Sequence, residues 1–247
     1  MKNTRSSAFT LIELLIVITI IAVLASIALP AFTGVKERGD QTKDLSNAKQ
    51  IALALRQFAI DNNGAYPAKQ PGADYSAAAD TPPVNSNDAF WWLFPNYLQS
   101  ESIFSASGSA YTPSNPDNLI DRDSGGTPPS TRTQTLKAGE NHFAYVSSLT
   151  DTSNPTFPLL ADGFVKSSPG TYTKDKSKTG GVWSGKKAVV VFCDSSGQLM
   201  NVNSATGKIP RAAGGTGASL FDNSSTDGSW LSSANKILNP DPPATAQ

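Results

Sequence analysis

The first pattern along the chain is an uninterrupted apolar run. Residues 14 to 35 carry no charged side chain, and residues 14 to 29 read LLIVITIIAVLASIAL, with only Thr19 and Ser26 polar. Apolar positions fall on every side of a helix there, not along one stripe as in a soluble core helix. At about 1.5 Å per residue the stretch spans roughly 33 Å, enough to cross a bilayer. From Lys36 the pattern becomes amphipathic. Leu45, Ala48, Ala52, Leu55 and Ala59 recur at spacings of three and four, Ile51 and Phe58 flank them, and Lys43, Asp44, Lys49, Arg56 and Asp61 lie between. This predicts a helix through residues 36–64, stopped by Asp61-Asn62-Asn63-Gly64, where glycine suits a left-handed cap. Pro30 lies between the two halves, where proline removes a hydrogen bond and kinks a helix.

After Gly64 the chain becomes rich in Ser, Thr, Asn, Gly and Pro, a mixture suited to loops. Residues 68–88 predict a loop, with Asn87 or Asp88 as the cap of a short helix carrying Phe90, Trp91, Trp92, Leu93 and Phe94. That aromatic group predicts packing against the long helix. Residues 105–140 predict a surface insertion. Strand patterns follow at 143–146, 157–160, 188–193 and 199–202, and the turn Asp194-Ser195-Ser196-Gly197 joins the last two into a hairpin. Residues 207–247 predict irregular chain ending in a mobile tail, NPDPPATAQ. The fold class is α+β: one long helix and a small antiparallel sheet.

Charge and rare residues narrow the function. Lys+Arg and Asp+Glu are 20 each, so no basic excess points to nucleic acid. One cysteine, Cys193, precludes an intramolecular disulfide, and with one histidine, His142, a Cys/His zinc cluster is excluded. Cys193 reads as a small buried hydrophobe at a strand end and His142 as a structural hydrogen-bonding group. The stretch from Asp121 to Gly126 has calcium-loop residues, but the closing position of an EF-hand would be Arg132. Gly214-Gly215-Thr216-Gly217 lacks the ending of a phosphate loop. Nothing assembles a nucleophile and base, so the chain is expected not to be an enzyme. An alternative is an anchored binding module recognising carbohydrate or a surface through Trp91-Trp92. An exposed pair would favour it, a buried pair a scaffold.

Lys2 and Arg5 precede the apolar run and place the N-terminus in the cytoplasm, with the remainder outside. A secretory signal peptide would share this layout, and Ser26-Ile27-Ala28 could supply its cleavage site. Against that reading stand Glu13 inside the apolar segment and a helical pattern continuing past the site. Residues 8–17, AFTLIELLIV, resemble the cleavage and methylation signature of type IV prepilins and type II secretion pseudopilins, with Ala8 where that family usually has glycine. Gly64-Ala65-Tyr66-Pro67 resembles the turn that follows the long helix in major pseudopilins.

The resemblance implies cleavage by a prepilin peptidase between Ala8 and Phe9, N-methylation of Phe9, and pairing of Glu13 with the amine of a neighbouring subunit during assembly. It implies a leader at 1–8, a transmembrane helix at 9–35, an amphipathic helix at 36–64, an extracytoplasmic head at 65–206 and a C-terminal region at 207–247. The protein would cross the inner membrane once and join other copies and minor pilin-like subunits in a periplasmic or surface filament. Both a secretion pseudopilus and a surface pilus fit, while Glu13 argues against the tip position. No cofactor is required. The family's calcium-stabilised late loop makes Asp222, Asn223 and Asp227 calcium candidates.

Overall fold

The computed structural model describes residues 9–76, 80–121, 131–211, 219–222 and 231–244, without the side chains of residues 30 and 31. The chain forms two compact units, Met1–Thr42 and Lys43–Gln247. The helix α1, Leu11–Asp61, contributes residues to both. In the first unit the apolar residues of α1 are exposed on all sides, from Leu11 and Ile12 through Leu24, Ile27 and Phe32. Among the described residues nothing covers that surface, as expected for a segment apolar and long enough to lie in lipid.

In the second unit α1 is one-sided. Ala48, Ile51, Ala52, Leu55, Phe58 and Ala59 are buried in one hydrophobic cluster with the sheet, while Leu53, Arg56 and Ile60 are exposed. Each large side chain so covered contributes about 1.5–3 kcal/mol relative to exposure. The predicted stop is where the helix ends. Asn63 and Gly64 adopt left-handed conformations, φ 54° and 80°, and the Gly64 N–H donates to the Ala59 carbonyl at 2.7 Å, closing the terminus as a left-handed cap does. Polar residues also enter the buried face: Asp44, expected on the solvent side, is only 2 % exposed, and Asn47 is buried too.

Five antiparallel strands form one sheet in the order β4-β3-β2-β1-β5: β1 Phe143–Val146, β2 Pro158–Asp162, β3 Lys187–Phe192, β4 Gly197–Asn201 and β5 Ile237–Leu238. The first four make a meander, and the predicted hairpin is β3-β4. Alternate residues of a strand face opposite sides, yet β1 and β2 are buried at every position. Both faces of the sheet are therefore covered at β1 and β2, while β4 is only partly buried. Besides the helix, Phe164, Tyr172, Ile209, Leu220 and Phe221 from irregular segments join the same core.

Three expectations change. The short helix α2, Ser86–Trp91, is capped by Asn85, whose Oδ1 accepts the Asp88 N–H at 3.0 Å; Asn87 and Asp88 lie inside it and are buried. The 105–140 segment is not all surface, since Tyr111 and Leu136 are fully buried. The C-terminal region is not all irregular, because β5 pairs with β1. Nor do Asn239 and Asp241 hang free. Asn239 Oδ1 accepts the Phe164 N–H at 3.1 Å, and Asp241 pairs with Arg132 at 3.1 Å.

Candidate functional site

The N-terminal segment combines an exposed apolar helix with a carboxylate in its first turn. Phe9 is 73 % exposed at the start of the described chain. Thr10 and Glu13 then close a reciprocal capping box. Glu13 Oε2 accepts the Thr10 N–H at 2.9 Å and the Thr10 hydroxyl at 2.8 Å, while Thr10 Oγ1 accepts the Glu13 N–H at 3.3 Å. This satisfies donors that the first turn of a helix leaves unpaired, and it sets a negative charge at the positive end of the helix dipole. The Thr-x-x-Glu spacing that produces it is visible in the sequence, although Thr10 was not singled out there. Among the described residues, one helix is long and apolar enough to cross a membrane, and none of its apolar window is buried.

The other predicted positions separate. Ala8 lies outside the described residues. Pro30 falls within α1, and its side chain is likewise outside them. Asp222 is half-buried, whereas Asn223 and Asp227 lie outside the described residues, as do the Gly214–Gly217 loop and residues 122–126 of the calcium-like stretch. Arg132 holds Asp88 at 3.0 Å and Asp241 at 3.1 Å. Cys193 is buried, and burial pushes its thiol up to about 12, which leaves it protonated and unreactive.

The tryptophan pair is structural. Trp91 is buried and donates its indole N–H to Asp121 Oδ2 at 3.0 Å; Trp92 is half-buried and donates to the Lys69 carbonyl at 3.0 Å. The two rings meet edge to face, and Tyr75 packs edge-on against Trp92. Both indole donors are thus used inside the fold, the arrangement expected of packing rather than of an open ligand platform. His142 is buried beside the sheet, with Nδ1 2.7 Å from the Ser109 hydroxyl.

Comparison with known proteins places these features. Residues 3–29 match the prokaryotic N-terminal methylation motif. The chain is 40% identical over 74 residues to the type II secretion system core protein G of Aeromonas hydrophila, covering 30% of this chain and 51% of that protein. Against core protein G of Escherichia coli K12 it is 37% identical over 84 residues, 34% and 57% of the two chains. Against the type IV major pilin protein PilE1 of Neisseria gonorrhoeae it is 36% identical over 78 residues, 32% and 36%. The match to the core G proteins spans about half of their length. No solved structure matches. The chain therefore carries the prokaryotic N-terminal methylation motif on an exposed apolar helix, and over about a third of its length it is similar to core G proteins and a major pilin.

Proposed function

We propose that this protein is a structural subunit of a type II secretion pseudopilus or a type IV pilus-like filament. A prepilin peptidase cuts between Ala8 and Phe9 and methylates the new amine. The mature chain is anchored in the inner membrane by its apolar helix, with the head outside the cytoplasm. On assembly the apolar helices leave the bilayer and pack on one another, and Glu13 meets the Phe9 amine of a neighbouring subunit. An ionisable group in an apolar segment is stable only with such a partner or at the interface. The observation that carries this reading is an apolar helix exposed on every side that begins at the methylation motif. A membrane anchor alone would explain the helix but not the motif. The buried, hydrogen-bonded Trp91 supports a scaffolding head over a carbohydrate-binding one.

The test is mass spectrometry of the N-terminus of membrane-extracted protein, from cells with and without their prepilin peptidase. The expected result is a chain beginning at N-methylated Phe9 that depends on the peptidase. A chain beginning at Leu29 would mean ordinary secretion and would overturn the proposal.

A further inference from the structure

Asp44, His142 and Asp162 meet inside the head, all at most 2 % exposed. Asp44 comes from α1, His142 directly precedes β1, and Asp162 ends β2. The register of β1 against β2 sets Phe143 opposite Asp162, and the Gly163 N–H donates to the His142 carbonyl at 2.8 Å. The sheet thereby brings two residues twenty positions apart to one point, and the helix adds the third.

The orientation of each group is constrained. Asp162 Oδ2 accepts the Trp183 indole N–H at 2.7 Å and the Val189 N–H at 2.9 Å, both neutral donors. This leaves Oδ1 facing His142 Nε2 at 3.3 Å, and Asp44 Oδ2 lies 3.8 Å from the same nitrogen. Neither His142 Nε2 nor Asp162 Oδ1 makes a hydrogen bond. On the far side of the ring, Nδ1 is held by Ser109 Oγ at 2.7 Å, and that oxygen accepts the Tyr111 N–H at 3.1 Å.

We propose that Asp44, His142 and Asp162 bind a divalent transition-metal ion of the zinc type, which clasps α1 to the sheet. Burial is the first argument. Three side chains with metal-ligand atoms meet in a site without solvent access, and His142 Nε2 and Asp162 Oδ1 make no hydrogen bond there, whereas buried polar atoms are normally satisfied. Geometry is the second. Ligand bonds of about 2.0–2.2 Å around a tetrahedral ion put donor atoms about 3.3–3.6 Å apart, and the separations from Nε2 are 3.3 and 3.8 Å. The third is the donor set. One imidazole nitrogen with carboxylate oxygens suits zinc and its neighbours, while calcium takes six to eight oxygens. Ser109 holds the remaining ring nitrogen as outer partners of metal-bound histidines do. A head with one cysteine has no internal disulfide, so the ion supplies the cross-link between helix and sheet.

The test uses the full chain in detergent, stripped with a chelator and dialysed, with zinc and then cobalt(II) as probes. The expected result is one zinc per chain, and for cobalt the visible absorption of a tetrahedral site. Ser109→Ala keeps all three ligands and is expected to weaken zinc binding about 10–100-fold. His142→Gln is expected to lose the cobalt spectrum, with circular dichroism confirming the fold. A folded wild-type chain that takes up no stoichiometric zinc overturns the proposal without need of any variant. Undiminished uptake by His142→Gln also overturns it, since the ion would then lie elsewhere. Neither result bears on N-terminal processing, so the filament reading stands or falls separately.

Discussion

Glu101 gives the head a measurable dependence on pH. It begins a single 3-10 turn, Glu101–Phe104, and its side chain is fully buried. Oε1 accepts the Leu136 N–H, while Oε2 makes no hydrogen bond. Burial, with smaller contributions from the nearby Glu140 and Asp117 carboxylates, pushes the acid up from the ordinary 4.5 to about 7. The folded state therefore holds a proton between pH 4.5 and 7 that the unfolded state has released. Stability from this site is fully present below about pH 4.5 and is lost as pH rises through 7. At 1.36 kcal/mol per pKa unit the ceiling is about 3 kcal/mol. With partial screening by solvent and polar neighbours, about 2 kcal/mol is expected. Glu101→Gln keeps the acceptor for Leu136 and removes the titration. Urea unfolding of the two proteins in chelator-containing detergent buffer, from pH 5 to 8.5, should give similar midpoints at pH 5. By pH 8 the variant should be more stable by about 2 kcal/mol. A constant difference across the range, or a wild type that gains on the variant as pH rises, would refute the reasoning.

Gly163→Ala would place a Cβ 2.5 Å from Tyr111 Cε2 and 2.7 Å from the His142 carbonyl oxygen, so a loss of about 1–3 kcal/mol is expected in a denaturant melt. Leu55→Ala empties a fully buried position on the helix face toward the sheet and should cost about 2–5 kcal/mol by the same measurement. Thr10→Ala and Glu13→Ala both break the capping box and should loosen the first turn of the helix. Only Glu13→Ala removes the carboxylate, so filament counts by electron microscopy should fall sharply for Glu13→Ala and little for Thr10→Ala. Equal losses would mean that capping, not pairing between subunits, is the role of Glu13.

Elements with a local cause were legible in the sequence. The exposed apolar helix follows from residues that no stripe could bury. The stop at Asn63-Gly64 follows from the backbone preferences of those two residues, and the β3-β4 hairpin from alternation around a tight turn. The capping box has the same local origin, since its partners lie three residues apart. The N-terminal motif sits within one short segment, which is why residues 8–17 pointed to pilins and why the methylation motif then matched there.

What the sequence could not show was long-range. Ile237 and Leu238 become a strand only because β1 leaves an edge for them, and a two-residue strand has no periodicity to read. Asp44 follows the polar spacing of its helix, yet the sheet covers it and turns a solvent residue into a buried one. Its neighbours His142 and Asp162 are about a hundred residues away, joined by strand register and helix packing. The sequence by itself determined the exposed apolar segment, the helix and its C-terminal stop, because those depend on neighbours within a few turns. Only the tertiary structure decided which polar groups are buried together, because burial is set by what folds over a residue from elsewhere in the chain.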